Sequence, residues 1–172
     1  MWSTERPVPG EHHEYYGTYI GQVPDEDVLA CLRTSLEETL KPLSGAQEST
    51  GDYRYAPGKW SVREFLTHLI DVERTFAFRA FWFARNGAGE LPSLEQEDVM
   101  AASGAASRTL ASLIDEWRAV RAATVALFDS FDNEAARRAG VASGRPFTAR
   151  ACAWIIAGHE RHHRQHLAPP RS

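Results

Sequence analysis

Apolar residues recur every three or four positions in four long stretches of the chain, and this spacing predicts four amphipathic helices. The first helix is predicted to begin at Pro24, which suits a first turn, and the acidic Asp25, Glu26 and Asp27 favour the positive end of its dipole. Its apolar face comprises Val28, Leu29, Leu32, Leu36, Leu40 and Leu43. Residues 1–23 have no sustained period, so we expect an irregular N-terminal arm before the helical domain.

The second helix has a well-marked start. Ser61 is a good N-cap, and Glu64 three residues later completes a capping box. Trp60 and Phe65 are spaced to form a hydrophobic staple across this start. The apolar face comprises Phe65, Leu69, Val72, Phe76, Ala80 and Phe83, and Asn86 with the glycine after it is expected to end the helix.

The third helix follows a long connection over residues 87–104, in which we expect a short turn around residues 94–100. Asp132 is then placed to cap a short helix that runs through Arg138. The face of the third helix comprises Leu110, Leu113, Ile114, Trp117, Val120, Thr124, Leu127, Phe128 and Phe131.

The fourth helix is predicted from residue 149 to about residue 167, with Thr148 as its N-cap and a loop over residues 140–147 before it. Four long amphipathic helices and almost no alternating segments predict an all-α domain. The simplest arrangement is a four-helix bundle with a long crossover connection, spanning residues 24–168.

Composition narrows the class of protein. The 172 residues are 43% hydrophobic and 24% charged, as in an ordinary soluble domain, and the net charge of -4 argues against nucleic acid as a partner. No apolar run is long enough to cross a membrane or to serve as a signal peptide. Cys31 and Cys152 each lie inside a helical pattern, so we expect buried free thiols and a cytoplasmic protein.

Four of the seven histidines lie within the last predicted helix. His159 and His163 are four residues apart, so their imidazoles can point at one ion from one helix face. His162 and His166 have the same spacing, and spacing alone does not choose between the pairs. The alternative is a core histidine at 159 with polar surface residues around it.

His68 is the candidate for a third ligand, because it lies in the second helix beside apolar residues. If the second and fourth helices run antiparallel, His68 reaches the depth of His159 and His163 in the bundle, where metal sites are built. A structural core histidine is the alternative. Asp71, one turn further on, is a candidate to orient a ligand ring.

The residues from His159 to His163 also match H-E-x-x-H, the zinc protease signature in which the glutamate acts as general base. Only nine residues follow His163, which leaves little chain for the downstream third ligand of such enzymes. We therefore expect Glu160 to be a solvated charge on the helix face. His12 and His13 are expected to be solvated and away from any site.

Two separated motifs resemble the DinB/YfiT-like superfamily. Residues 55–64 (YAPGKWSVRE), followed by residues 68–71 (HLID), resemble the entry to its metal helix, and residues 155–163 (IIAGHERHH) resemble its C-terminal metal motif. The resemblance implies a four-helix bundle, often a homodimer, with a three-histidine metal site. The family's first ligand matches His68, and its closing pair matches His159 and His163.

The resemblance also implies a range of activities. Some relatives transfer low-molecular-weight thiols such as bacillithiol or mycothiol, one branch isomerises maleylpyruvate, and others are proposed metal-dependent hydrolases. We therefore expect a divalent transition metal, zinc or nickel, a small-molecule substrate and, for a transferase, a thiol cosubstrate. A non-catalytic metal-binding stress or interaction protein and a purely structural bundle remain alternatives. Lys59, Arg74 and Arg79 are candidates to bind an anionic substrate, but we expect them to be surface charges.

Overall fold

The computed structural model describes residue 2, residues 5–24 and residues 27–167. Asp25 and Glu26, expected in the first helical turn, and residue 168, the expected end of the domain, lie outside the described residues. The helices are α1 (Gly17–Ile20), α2 (Val28–Leu40), α3 (Val62–Ala84), α4 (Gln96–Ala102), α5 (Leu110–Asp129), α6 (Asn133–Arg137) and α7 (Ala149–His163), and the strands are β1 (Ala139–Ala142) and β2 (Arg145–Thr148). Short 3-10 turns occupy Glu14–Tyr16, Lys41–Leu43, Glu48–Asp52, Ala105–Ser107 and Arg164–His166.

The four long helices α2, α3, α5 and α7 form a bundle, which confirms the predicted fold class. Both α2 and α3 pack against α5 and against α7, so α2 and α3 occupy diagonally opposite corners. Residues 41–61 join these two corners and supply a long crossover connection. A second long connection, residues 85–109, contains α4 in the region where a short turn was expected.

Helices α3 and α7 run antiparallel. Phe83, near the end of α3, lies so close to Gly140 that a Cβ on this glycine would fall 2.0 Å from the phenylalanine ring. Gly140 belongs to the hairpin that leads directly into α7. The first turns of α3 therefore lie beside the last turns of α7, as the candidate three-histidine site requires.

The predicted starts of α3 and α7 are present, whereas α2 begins at Val28, four residues after the predicted start at Pro24, with Asp27 as its N-cap. Ser61 and Glu64 form a reciprocal capping box, and the rings of Trp60 and Phe65 lie 5.7 Å apart. Thr148 caps α7 by accepting a hydrogen bond from the Ala151 N–H. The apolar faces of the bundle helices are buried, and they include the fully buried side chains of Leu29, Leu32, Leu66, Leu113, Trp117, Phe128, Trp154 and Ile155.

The N-terminal segment differs from the expected irregular arm. It contains the 3-10 turn Glu14–Tyr16 and helix α1, which packs against α7. Trp2 is buried, and its indole N–H donates to the Phe128 carbonyl at 2.8 Å. Ile20 and Val23 are buried in the same cluster as residues of the bundle. A helix of one turn is too short to give a periodic sequence signal, which explains the difference.

The predicted loop over residues 140–147 was wrong, because these residues belong to an antiparallel hairpin. Its register pairs Ala139 with Thr148 and Ala142 with Arg145. The turn residues Ser143 and Gly144 have positive φ angles of 55° and 68°, as in a two-residue type I′ turn. Four-residue strands are too short for alternation to reveal them. Helix α7 also ends earlier than predicted, at His163, and a 3-10 turn follows.

Both cysteines are free and buried, as predicted. Burial raises the pKa of the Cys152 thiol to about 12, so this thiol is neutral at physiological pH. Among the described residues, no helix has both the length and the apolar character needed to cross a bilayer.

Candidate metal centre

Three histidines from two helices converge near one end of the bundle. His68 comes from α3, His159 and His163 come from the last turns of α7, and one ring nitrogen from each lies within 4.8 Å of the other two. The Nε2 atoms of His68 and His159 are 3.0 Å apart. Two nitrogens bound to one tetrahedral zinc at 2.0–2.1 Å are separated by about 3.3 Å, so the pair is close to the spacing that an ion imposes.

Burial keeps these imidazoles neutral. It lowers the pKa of His68 to about 4, and burial together with the neighbouring histidines lowers the pKa of His163 to about 3. The pKa of His159 also falls well below its usual range, mainly through burial. The neutral imidazole is the form that binds metals, and Nδ1 of His163 is buried without a hydrogen-bond partner. The residues present therefore fit a divalent transition metal.

The other histidines lie outside this cluster. His162 Nδ1 is 3.1 Å from the Gln22 side-chain nitrogen, and the His166 ring stacks on Tyr55 at 4.3 Å. His12 contacts the backbone of His13, whose own ring accepts a hydrogen bond from the Tyr15 N–H. Of the two pairs with equal spacing, the fold thus brings His159 and His163 to His68.

Asp71 does not contact the ring that it was expected to orient. Its carboxylate lies 3.8 Å from Arg74, and no hydrogen bond among the described residues joins it to His68. Burial raises the pKa of this half-buried carboxyl. Asp71 instead lines a cavity beside the histidines.

The expectation that Glu160 is a solvated charge was wrong. Only 1% of the residue is exposed, and its carboxylate accepts hydrogen bonds from Ser35 Oγ at 2.9 Å and from Thr39 Oγ1 at 2.6 Å. Arg121 donates to the same carboxylate at 2.7 Å. Glu160 lies on the face of α7 that packs against α2, so it points into the bundle and away from water.

Arg121 connects the bundle helices beneath the histidines. Its guanidinium donates to both carboxylate oxygens of Glu73 at 2.8 and 2.9 Å and to the Leu32 carbonyl at 3.0 Å. Trp117 donates its indole N–H to the same Glu73 at 2.8 Å. Two carboxylates and one guanidinium leave this buried cluster with a net charge of -1. No short motif marks this cluster in the sequence, although its three charged members fall on the core faces of their helices.

A cavity of about 170 Å³ opens beside the histidines. His68 and His159 form part of its wall, and the rest of the lining comes from the turn Glu14–Tyr16, from α1, α3, α4 and α7, from Leu94 and from the hairpin turn. Tyr16, Phe76, Val99 and Met100 make much of this lining apolar. A pocket of this kind beside convergent polar groups is the usual setting of a small-molecule site.

Tyr19 covers the histidines from the N-terminal segment. Its ring lies 5.2 Å from the His159 ring and 5.3 Å from the His162 ring, and its hydroxyl is 3.2 Å from that of Tyr15. Burial raises the pKa of Tyr19, so the hydroxyl stays protonated at neutral pH. Tyr19 was not among the predicted site residues, because its segment was expected to lie outside the helical domain.

Comparisons with known proteins agree with the fold and with the family that the sequence resembles. The family model of the DinB superfamily matches residues 32–167, which include all three convergent histidines. Among solved structures, YfiT from Bacillus subtilis, described as a probable metal-dependent hydrolase with an unusual four-helix bundle topology, has a TM-score of 0.66. The match covers 96% of this chain and 90% of that chain at 16% sequence identity, a level that shows a shared fold. A search of the curated proteins finds no match. Because the family model covers most of the sequence, the chain belongs to the DinB superfamily.

Proposed function

We propose that His68, His159 and His163 bind a divalent transition metal, zinc or nickel, and that the protein is a metal-dependent hydrolase of a small molecule. The observation that carries this proposal is the convergence of three neutral imidazoles, the buried His68 and His159 and the half-buried His163, beside a cavity that His68 and His159 line. Imidazole nitrogens suit both metals. Three protein ligands also leave coordination positions free, as in catalytic sites.

The chemistry follows from the donor set. A divalent ion held by three neutral imidazoles supplies Lewis-acid chemistry, polarising a substrate carbonyl or lowering the pKa of water toward about 7. Residues around the three histidines shield them from solvent and favour a positive charge beside them. Tyr19 shields the histidines, and Glu73 and Glu160 carry a buried net negative charge beside His159, which favours a cation.

The choice of hydrolysis rests on the description of YfiT as a probable metal-dependent hydrolase and on the open cavity beside the histidines. Transfer of a low-molecular-weight thiol would use the same site, and the thiol cosubstrate stays a prediction. Cytoplasmic location, homodimer formation and the absence of a nucleic-acid partner also stay predictions.

The metal site is tested by elemental analysis of the purified protein and of single alanine variants. We expect about one equivalent of metal in the wild type and its loss in His68→Ala, His159→Ala and His163→Ala. His162→Ala is the matched control, because His162 lies beside the cluster without joining it, and it should retain the metal. Unchanged metal content in all three ligand variants would overturn the site.

The reaction is tested on the metal-loaded protein with a panel of small esters and amides and, separately, with thiols plus a generic electrophile. We expect hydrolysis that a chelator abolishes and added metal restores. Conjugation of the thiol without hydrolysis would replace the hydrolase assignment with a transferase. Tight metal binding without turnover across both panels would favour a non-catalytic metal-binding protein.

A further inference from the structure

Arg79 is a buried arginine in the wall of the cavity beside the histidines, not the surface charge that the sequence suggested. Only 5% of the residue is exposed. Its Nη2 donates to Ser143 Oγ at 2.9 Å, and its guanidinium carbon lies 5.0 Å from the Phe76 ring and 5.5 Å from the Phe147 ring. These contacts hold the side chain in place, but within the part of the chain that the structure describes no carboxylate pairs with its charge.

The other buried arginines all have carboxylate partners. Arg63 pairs with Glu48 and Asp52, Arg121 with Glu73 and Glu160, and Arg150 with Glu11. Among the described residues, Arg79 has no such ion pair. A neutral hydroxyl and two aromatic faces offset only part of the cost of burying a full charge.

The groups near Arg79 do not supply the missing charge. The Cys152 thiol is close enough for Arg79 to act on its pKa, but burial raises that pKa to about 12 and keeps the thiol neutral. Of the described residues that line the cavity, Asp71 alone carries a carboxylate, and it already lies beside Arg74. Eight residues, about 12 Å of helix, separate Asp71 from Arg79. The guanidinium is therefore available to an anion that enters the cavity.

The same cavity joins Arg79 to the histidines. His68, His159 and Arg79 all line it. His68 and Arg79 are eleven residues apart on α3, or about 16 Å along its axis. The long arginine side chain shortens this distance, because helical side chains lean toward the N-terminus, in this case toward His68. A ligand that spans the cavity can thus contact both ends.

We propose that Arg79 binds the carboxylate of a small organic acid whose reactive group lies beside His68 and His159. This substrate class rests on the proposed metal-dependent function for its reacting end, whereas the anion site depends only on Arg79 and the cavity. A guanidinium binds a carboxylate through two parallel hydrogen bonds. The apolar lining favours a singly charged carboxylate over a doubly charged phosphate, whose desolvation costs more.

The volume of the cavity limits the size of this acid. An apolar cavity of about 150 Å³ accommodates a molecule such as benzene. A cavity of about 170 Å³ therefore suits an acid built on a single ring or a short chain. Benzoate is a suitable probe, and benzamide is a neutral molecule of nearly the same shape.

The test measures binding of benzoate to chelator-treated protein by titration calorimetry, so its outcome does not depend on the metal. We expect benzoate to bind at least about tenfold more tightly than benzamide, since a charged hydrogen bond contributes 1.5–3 kcal/mol. Arg79→Met should weaken benzoate binding by a similar factor and leave benzamide unaffected. Arg85→Met is the matched control, because Arg85 is an exposed arginine just after α3 that bonds Ser130 outside the cavity lining, and it should bind benzoate like the wild type.

A second variant covers the case in which Arg79→Met does not fold. Ser143 has a positive φ that glycine adopts without strain, so Ser143→Gly removes the hydroxyl that holds Arg79 and preserves the turn. We expect benzoate binding to weaken by about threefold to tenfold in this variant, the loss of one neutral hydrogen bond.

Three results would overturn the proposal: equal affinities for benzoate and benzamide, wild-type benzoate binding by a folded Arg79→Met variant, or no benzoate binding at millimolar concentration. Tighter binding of phenyl phosphate than of benzoate would overturn the assignment to carboxylates. The metal site could fail its own test while benzoate binding still depends on Arg79. In that case the anion site stands, and the proposal loses only the reactive group beside His68 and His159.

Discussion

The carboxylate of Glu160 and the guanidinium of Arg121 meet at 2.7 Å in the interior of the bundle, where 2% and 5% of their side chains are exposed. This pairing decides between two interpretations of the H-E-x-x-H string. A general base needs access to water and substrate, and Glu160 has neither, since Ser35, Thr39 and Arg121 occupy its oxygens. The glutamate of this string is therefore part of the bundle core, and the protease interpretation loses its base.

The first prediction concerns the stability that this pair provides. Glu160→Gln keeps the shape of the side chain but removes its charge, and we expect the free energy of unfolding to fall by about 3 kcal/mol, the low end for breaking a buried ion pair because Glu73 still holds Arg121. Urea denaturation measures the change. In the control Glu37→Gln, which breaks an exposed pair with Arg118, the loss should be at most about 1 kcal/mol. Equal losses in the two variants would contradict a special role for the buried pair.

The second prediction concerns removal of the metal. A ligand at 100 times its dissociation constant stabilises the folded state by about 2.7 kcal/mol, and each kcal/mol shifts Tm by about 2–4 °C in a domain of this size. We therefore expect a chelator to lower Tm by about 5–10 °C and added zinc or nickel to restore it. Differential scanning calorimetry with and without chelator makes the measurement.

Two variants make this comparison specific. His159→Ala should lose the response of Tm to metal, because it removes one of the three convergent imidazoles. His162→Ala should keep it. A chelator effect of the same size in His159→Ala would mean that the metal binds elsewhere.

The third prediction concerns the contact between α7 and the N-terminal segment. A Cβ on Gly158 would lie 2.0 Å from the Tyr19 carbonyl oxygen and 2.4 Å from its carbonyl carbon, and backbone cannot rotate out of the way. We expect Gly158→Ala to lower the free energy of unfolding by about 1–3 kcal/mol or more through overpacking. The segment must also move outward, which takes the Tyr19 ring away from His159.

Thermal denaturation and benzoate affinity report these two effects separately. Gly17→Ala is the control, because a Cβ there meets only His12 at an ordinary 3.8 Å. Its stability should stay within about 0.5 kcal/mol of the wild type or rise slightly. A fully stable Gly158→Ala variant would mean that α1 does not pack tightly against α7.

The sequence allowed the bundle and its caps to be predicted because those features depend on local patterns. Ser61 and Glu64 need only their spacing along one helix to form the capping box. His68 meets His159 only because α3 and α7 run antiparallel, so a lone histidine on an apolar face gave an ambiguous signal. The two histidine pairs near the end of the chain have the same spacing, so spacing could not choose between them. The resemblance to a known family selected His159 and His163 over His162 and His166.

The positions of Arg121 and Glu73 in the sequence already indicate that their side chains are buried. Arg121 lies four residues after Trp117 and three before Thr124, on the core face of α5. Glu73 likewise lies between Leu69 and Phe76 on the core face of α3. A charge in such a position must find a partner inside the protein, because burying it alone is too costly. Which charges pair depends on how the helices pack, and the sequence of one helix does not show this. Arg79 was therefore expected to be a surface charge, although the structure buries it.

The last prediction concerns Trp2, which attaches the start of the chain to the core. The residue is 3% exposed, and its indole N–H donates to the Phe128 carbonyl at 2.8 Å. Trp2→Ala should lower the free energy of unfolding by about 3–5 kcal/mol, since it leaves a large cavity. Trp2→Phe keeps much of the apolar contact and loses the hydrogen bond, so we expect a smaller loss of about 1–2 kcal/mol. In the control Val8→Ala, at a side chain that is 56% exposed, the change should be within about 0.5 kcal/mol. If denaturation shows wild-type stability for Trp2→Ala, the start of the chain is not part of the folded core.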